Sequence, residues 1–164
     1  VEVNRHRLCR PRDAMRYVPG PVPLDAHAWI VKELQAIAQV THADWPIDFV
    51  VVCSDETTAL TTGTAKVTFR APCKFILTAV KGSVNTAPTG GTLLTVDVNV
   101  NGSSCMSTKL TFDAGEYTTK TAATKHVLSS QVILDDDVIT IDIDAVGSTV
   151  AGAGLKVTLI GTLP

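Results

Sequence analysis

The chain has 164 residues and a formal net charge of −2, and apolar residues make up 45% of it. A chain of this length can bury a hydrophobic core without metals or disulfides, so we expect one medium-sized domain with an appendage. The longest apolar run, Phe49 to Cys53, is far shorter than the ~20 residues of a membrane span. The charged start lacks the apolar stretch of a secretory signal. We therefore expect no membrane partner, and assembly in a cytoplasm.

Residues 1–24 are basic and rich in proline. Prolines at positions 11, 19, 21 and 23 disfavour regular hydrogen bonding, so an extended arm is predicted. Residues 1–20 carry five arginines against two acidic residues, a net charge of +3; residues 21–164 carry nine basic and fourteen acidic residues, a net charge of −5. An acidic protein surface is the favoured partner of the arm, ahead of solvation alone. Nucleic acid is disfavoured, because its binders usually interleave aromatic residues or build a longer basic face. The candidate partner-binding residues are Arg5, Arg7, Arg10, Arg12 and Arg16.

Residues 25–47 are predicted to hold a short amphipathic helix and a linker. Asp25 is a suitable N-cap, and apolar residues recur at helical spacing from Ala26 to about Val40. The candidate oligomerisation or docking residues are Ile30, Leu34 and Ile37, with Trp29 beside them. An isolated helix of ~15 residues is marginal in water. The apolar stripe is therefore expected to pack on its own domain, on copies of itself around a threefold axis, or on another protein.

Residues 48–164 alternate between apolar and polar side chains with a period of two. Ile76, Thr78 and Val80, for example, are expected to share one face of a strand. Roughly eight to nine short strands follow one another without a helix, which predicts a mainly β fold. The expected architecture is an antiparallel β-sandwich, jelly-roll-like, preceded by the arm and the helix.

Three segments between the strands indicate turns. Asn101-Gly102 is a two-residue hairpin signal, and Asp113–Glu116 has the composition of a turn. The glycine-rich run from Gly147 to Gly154 lacks the Gly-Lys-Ser/Thr ending of a phosphate-binding loop and precedes no helix. It is interpreted as a hairpin between two strands.

Nothing in the sequence predicts catalysis. The carboxylates of Asp135–Asp137 and the Asp142/Asp144 pair are of the kind used in sugar cleavage or calcium binding, but they read as a turn and a solvated strand face. No Gly-x-Ser-x-Gly nucleophile motif is complete. We expect no enzyme activity, catalytic residue, metal site or cofactor.

The four cysteines are too widely spaced for a zinc site, and we interpret them as free thiols, mostly buried. They are Cys9, Cys53, Cys73 and Cys105. Lys125-His126 contains the one histidine of the predicted sandwich, and nothing local pairs it with a thiol.

About two thirds of the chain resembles a β-domain that recurs in virion structural proteins of tailed bacteriophages. The segments that carry the resemblance are Asp55–Pro72, Ala87–Gly90, Ser107–Leu110, Ile141–Asp144 and Gly147–Gly161. The resemblance implies a virion component, often trimeric, that decorates the head or forms part of a fibre. It implies no catalytic residues, and it does not extend to the arm.

Two functions agree with this resemblance. In the first, a trimer decorates or cements the capsid, and the arginines of the arm bond to carboxylates of the major capsid protein or another virion protein. In the second, the chain is a tail or neck fibre subunit, an adhesin whose sandwich loops contact the host surface, for example a glycan. The chain has no long shaft, and aromatic residues make up only 5% of it. We therefore expect capsid decoration.

Overall fold

The computed structural model describes residues 26–41 and 45–163, and side chains within residues 27–37 and 46–163. One helix, α1 (Ala26–Thr41), precedes the strands, close to the predicted span. The long strands are β1 (Trp45–Val52), β2 (Gly63–Arg70), β3 (Phe75–Ser83), β4 (Leu94–Val100), β10 (Val138–Ala145) and β11 (Lys156–Leu163). The short strands are β5 (Ser103–Ser104), β6 (Met106–Thr108), β7 (Leu110–Phe112), β8 (Val127–Leu128) and β9 (Val132–Ile133).

The strands form two antiparallel sheets that face each other, which confirms the predicted sandwich. Sheet A has the strand order β1-β11-β3-β9, and sheet B has the order β2-β10-β4-β5, with β7 also paired to β4. Strands β6 and β8 form a separate short ribbon. Among the described strands β1 comes first in the chain, and it begins at Trp45, earlier than the apolar run at Phe49 indicated.

The core lies between the two sheets and comes from alternate residues of their long strands. Sheet A contributes Phe75, Leu77, Val80, Val157 and Leu159, and sheet B contributes Leu94, Val96, Val98, Ile139, Ile141, Ile143 and Phe112. All are apolar and almost fully buried. Burial of apolar side chains in this way is the main stabilising contribution to a folded domain.

The prediction that Ile76, Thr78 and Val80 share one face of β3 is wrong for Val80. Leu77 and Val80 are both buried, although they are an odd number of residues apart, and Thr78 is exposed. The register with β11 shifts at this point: Leu77 lies opposite Gly161, and Ala79 opposite Ile160. The extra residue in β3, Thr78, forms a β-bulge. Beyond the bulge, the side chains that point inward and outward are exchanged. Val80 therefore does not share a face with Ile76.

The Asn101-Gly102 hairpin is confirmed, and the glycine-rich hairpin is not. Asn101 and Gly102 both have positive φ, 51° and 81°, and join the paired strands β4 and β5, as a two-residue hairpin requires. Residues 147–154, by contrast, connect β10 in sheet B to β11 in sheet A, so the segment passes from one sheet to the other. It is held on the way by backbone bonds between Thr89 and Val150.

Candidate docking surface

Helix α1 leaves its predicted apolar stripe open to solvent. Ile30, Leu34 and Ile37 are 48%, 59% and 38% exposed, and Val31 beside them is 41% exposed. Among the described residues, no strand of the sandwich packs extensively on the helix. In the described residues, the stripe is therefore not packed on its own domain, which was one of the three expected arrangements.

Trp29 differs from the rest of the predicted docking residues. Its side chain is half-buried, as are Glu33 and Ala36, which follow it at helical spacing. Its indole Nε1 atom is buried without a hydrogen-bond partner in the part of the chain that the structure describes. We name the exposed set Ile30, Val31, Leu34 and Ile37 the helix stripe. At helical spacing these four residues share one side of the helix, and Trp29 lies on the neighbouring half-buried side with Glu33 and Ala36.

The five arginines of the arm, Arg5, Arg7, Arg10, Arg12 and Arg16, lie outside the described residues. So do Asp25, the predicted N-cap, and Cys9. The helix carries no acidic residue in its first described turn and no basic residue in its last.

Asp144, one of the two carboxylates predicted to lie on a solvated strand face, is exposed as expected and also belongs to a charge network. The Lys109 ammonium donates to Asp144 at 2.5 Å and lies 3.0 Å from Oδ2 of Asp97. Asp97 is only 4% exposed, and the Ser104 hydroxyl donates to its other oxygen at 2.6 Å. The bonds to Asp144 and Asp97 raise the pKa of Lys109. The network was not predicted, because its members are far apart in sequence.

Asp142 has a structural partner as well. Its carboxylate accepts a hydrogen bond from the backbone N–H of Ala65 at 2.7 Å, where Ala65 has a φ of 49°. Positive φ is unfavourable for alanine, so the carboxylate helps to hold an irregular part of β2.

The Asp135–Asp137 triplet forms the turn between β9 and β10, as expected. Asp137 accepts hydrogen bonds from the Asn101 side chain and from the Leu134 N–H, at 2.8 and 2.7 Å, and these bonds lower its pKa. Asp136 pairs with Arg70 at 3.1 Å on the surface. The described residues contain no cluster of three or more His, Cys, Asp or Glu side chains arranged to hold a metal ion.

The cysteines differ from the expectation at one position. Cys53 and Cys105 are free and buried, and burial raises their pKa values to about 12 and about 11. Cys73 is disulfide-bonded, so the interpretation of every cysteine as a free thiol is wrong for it. His126 accepts a hydrogen bond from the Val80 N–H at 3.3 Å, and burial lowers its pKa. It has a structural partner and is held as the neutral imidazole.

The states of Cys53, Cys73 and Cys105 predict a specific pattern of alkylation. A thiol reagent applied to the folded protein without reductant is expected to leave Cys53 and Cys105 unmodified, because both are buried with raised pKa values. Unfolding without reductant should open both to the reagent, and Cys73 should react only after reduction. Peptide mass spectrometry at the three steps measures this. Alkylation of Cys73 before reduction would contradict the disulfide.

No helix in the described residues has the length and apolar character needed to cross a membrane. Comparison of the chain with protein-family models, with curated proteins and with solved structures finds no match.

Proposed function

We propose that the chain is a structural protein of a tailed-bacteriophage particle, a decoration or cement protein of head-fibre type that attaches to the capsid shell. In this proposal it binds the major capsid protein or another virion protein through its N-terminal arm. The helix stripe joins copies into a trimer or docks on the shell. The chain is assembled in the host cytoplasm, resides on the virion and has no catalytic role.

The single observation that carries the proposal is the helix stripe. Four large apolar side chains stand exposed on a helix that has no extensive contact with the described strands. A soluble helix of this kind is stable only when its apolar face is buried against something else. Burial of the stripe stabilises the assembly by about 25 cal/mol per Å² of apolar area, which offsets the ordering of the arm.

The division of charge supports the same proposal. The basic arm and the acidic body, +3 against −5, allow the arm to bind an acidic neighbour while the sandwich faces away from it. Arginine makes bidentate bonds to carboxylates, so the arm fixes the register of the contact.

A tail or neck adhesin is the second candidate function. Its supporting observation is Tyr117, which is 59% exposed in the segment between β7 and β8, where an aromatic side chain is suited to stacking on a sugar ring. In this role the sandwich loops bind the host and the arm holds the chain in the tail.

A binding experiment tests the decoration role. The purified chain is added to shells of the encoding phage that lack it, and the bound amount is measured by co-sedimentation at increasing salt. Wild-type binding is expected to weaken with salt, because arginine–carboxylate pairs at an exposed contact are screened. Changing the five arginines of the arm to Gln should lower binding strongly at low salt and flatten its salt dependence.

The matched control removes five charges from the sandwich, all on exposed lysines. It changes Lys66, Lys74, Lys81, Lys120 and Lys125 to Gln. This control should bind like the wild type. Equal loss in both variants would indicate a nonspecific charge effect and contradict the arm as the attachment. Binding to host cells and not to shells would favour the adhesin.

A further inference from the structure

Among the described strands, each sheet of the sandwich has two edges, and three of these four edges are protected against pairing with another strand. Sheet A ends at β9 and sheet B at β5 and β7, all of them two or three residues long. At its other edge, sheet B ends at the eight-residue β2, which is irregular at Ala65 and carries the exposed charges of Lys66 and Arg70. Short strands, irregular backbone and charged side chains are the usual protections of a sheet edge.

The fourth edge, β1, is protected in its first half only. Pro46 and Asp48 lie there, but the residues from Phe49 to Val52 carry no charge, proline or glycine. Strand β1 pairs with β11 in an unbroken register over all eight residues, so no bulge turns the edge away. Such a regular, apolar edge is an expected site of strand addition.

One hydrogen bond shows which residues of β1 point their backbone N–H groups toward β11 and which point them toward the open edge. Cys53 N–H donates to the Leu155 carbonyl at 2.8 Å, in register with the β1–β11 ladder. Because bonded positions alternate in an antiparallel pair, odd-numbered residues of β1 face β11 and even-numbered ones face the edge. The N–H groups of Asp48, Val50 and Val52 therefore point outward, whereas Pro46 has none. These groups have no partner in the part of the chain that the structure describes.

The side chains beside this edge are also uncovered. Val50 and Val52 are 61% and 59% exposed on the outer face of sheet A. On the inner face, Phe49 and Val51 pack against the core but are only half-buried. An added strand would therefore cover apolar surface on both faces and satisfy the outward backbone groups.

We infer that β1 pairs antiparallel with β1 of a second copy of this chain, about a twofold axis at Val51. This register places Val50 opposite Val52 of the second copy and Phe49 opposite its Cys53. Asp48 then faces Ser54, so no like charges are opposed across the pair. The edge is therefore complementary to itself in hydrogen bonding, and no like charges lie directly opposite each other, as an isologous contact requires.

The contact is separate from the helix stripe and does not depend on the virion role. Where the helices also join copies around a threefold axis, the two contacts together link neighbouring oligomers into a net. That property would suit a protein covering a shell. The contact itself is testable on the purified chain.

Hydrogen exchange of the full-length protein, measured at residue level over a range of concentrations, tests the inference. The amides of Val50 and Val52 are expected to become protected as concentration rises, whereas those of Phe49 and Val51, already bonded to β11, should change little. Val50→Lys should remove the concentration dependence. Val132→Lys is the matched control, because Val132 is 55% exposed in β9 of the same sheet, away from β1. It should behave like the wild type.

Sedimentation velocity of the Leu34→Asp variant separates this contact from helix association. A dimer that persists in Leu34→Asp and is lost in Leu34→Asp/Val50→Lys supports the β1 contact. Concentration-independent exchange at Val50 and Val52, or equal effects of Val50→Lys and Val132→Lys, would overturn it. Neither result decides the proposed function, because binding to shells is measured in a separate experiment.

Discussion

Replacing Leu34 with Asp is expected to abolish attachment of the chain to the particle while leaving the sandwich folded. Leu34 is 59% exposed at the centre of the helix stripe, so a carboxylate there would have to be desolvated in any apolar contact. The sandwich makes no extensive contact with the helix in the described residues, so its free energy of unfolding should change by no more than about 0.5 kcal/mol. Copy number per particle, measured by quantitative mass spectrometry, gives the result.

Gln35→Asp is the control for this change. Gln35 is exposed on the polar side of the same helix, and the substitution introduces the same charge one residue away. It should incorporate at the normal copy number. If Leu34→Asp also incorporates normally, the helix stripe has no role in attachment, and the arm alone must be considered.

Replacing Lys109 with Met is expected to produce the largest loss of stability among surface-lysine changes. The substitution leaves Asp97, 4% exposed, with one hydroxyl partner and no counter-charge. Removing one member of a buried ion pair costs about 3–5 kcal/mol, and we expect the lower end because Lys109 is 43% exposed. A loss of this size is a large part of the ~5–15 kcal/mol that stabilises a typical domain. Denaturant unfolding measures it.

Two further variants make this prediction specific. Lys81→Met removes an exposed lysine from β3 and should change stability by no more than about 0.5 kcal/mol. Asp97→Asn combined with Lys109→Met should recover part of the loss, because the unpaired buried charge is gone while Ser104 can still donate. Equal stability of the Lys109 and Lys81 variants would show that Asp97 does not depend on Lys109.

The sandwich was predictable because its signals are local. Alternation over Leu94–Val100 and Ile139–Ile143 marks two buried strands, and Asn101-Gly102 has the backbone freedom that a tight hairpin needs. The helix was predictable for the same reason, since its apolar spacing lies within a single continuous segment.

The features that were not predicted correctly depend on contacts between residues that are far apart in the sequence. The bulge at Thr78 appears only when β3 is aligned with β11, and the course of residues 147–154 depends on which sheet accepts β11. The ion pairs of Lys109 join residues from different strands. Likewise, the exposure of Val50 follows from the edge position of β1, which an alternating sequence does not specify.

The attachment to the shell is tested most directly by cryo-electron microscopy of the purified particle, with the chain located in the map. A decoration role predicts density of the chain at regular lattice points over the head, with residues 1–24 in contact with the shell proteins. Density confined to the neck or tail would contradict the decoration role and indicate the adhesin. Absence of the chain from the particle would contradict both.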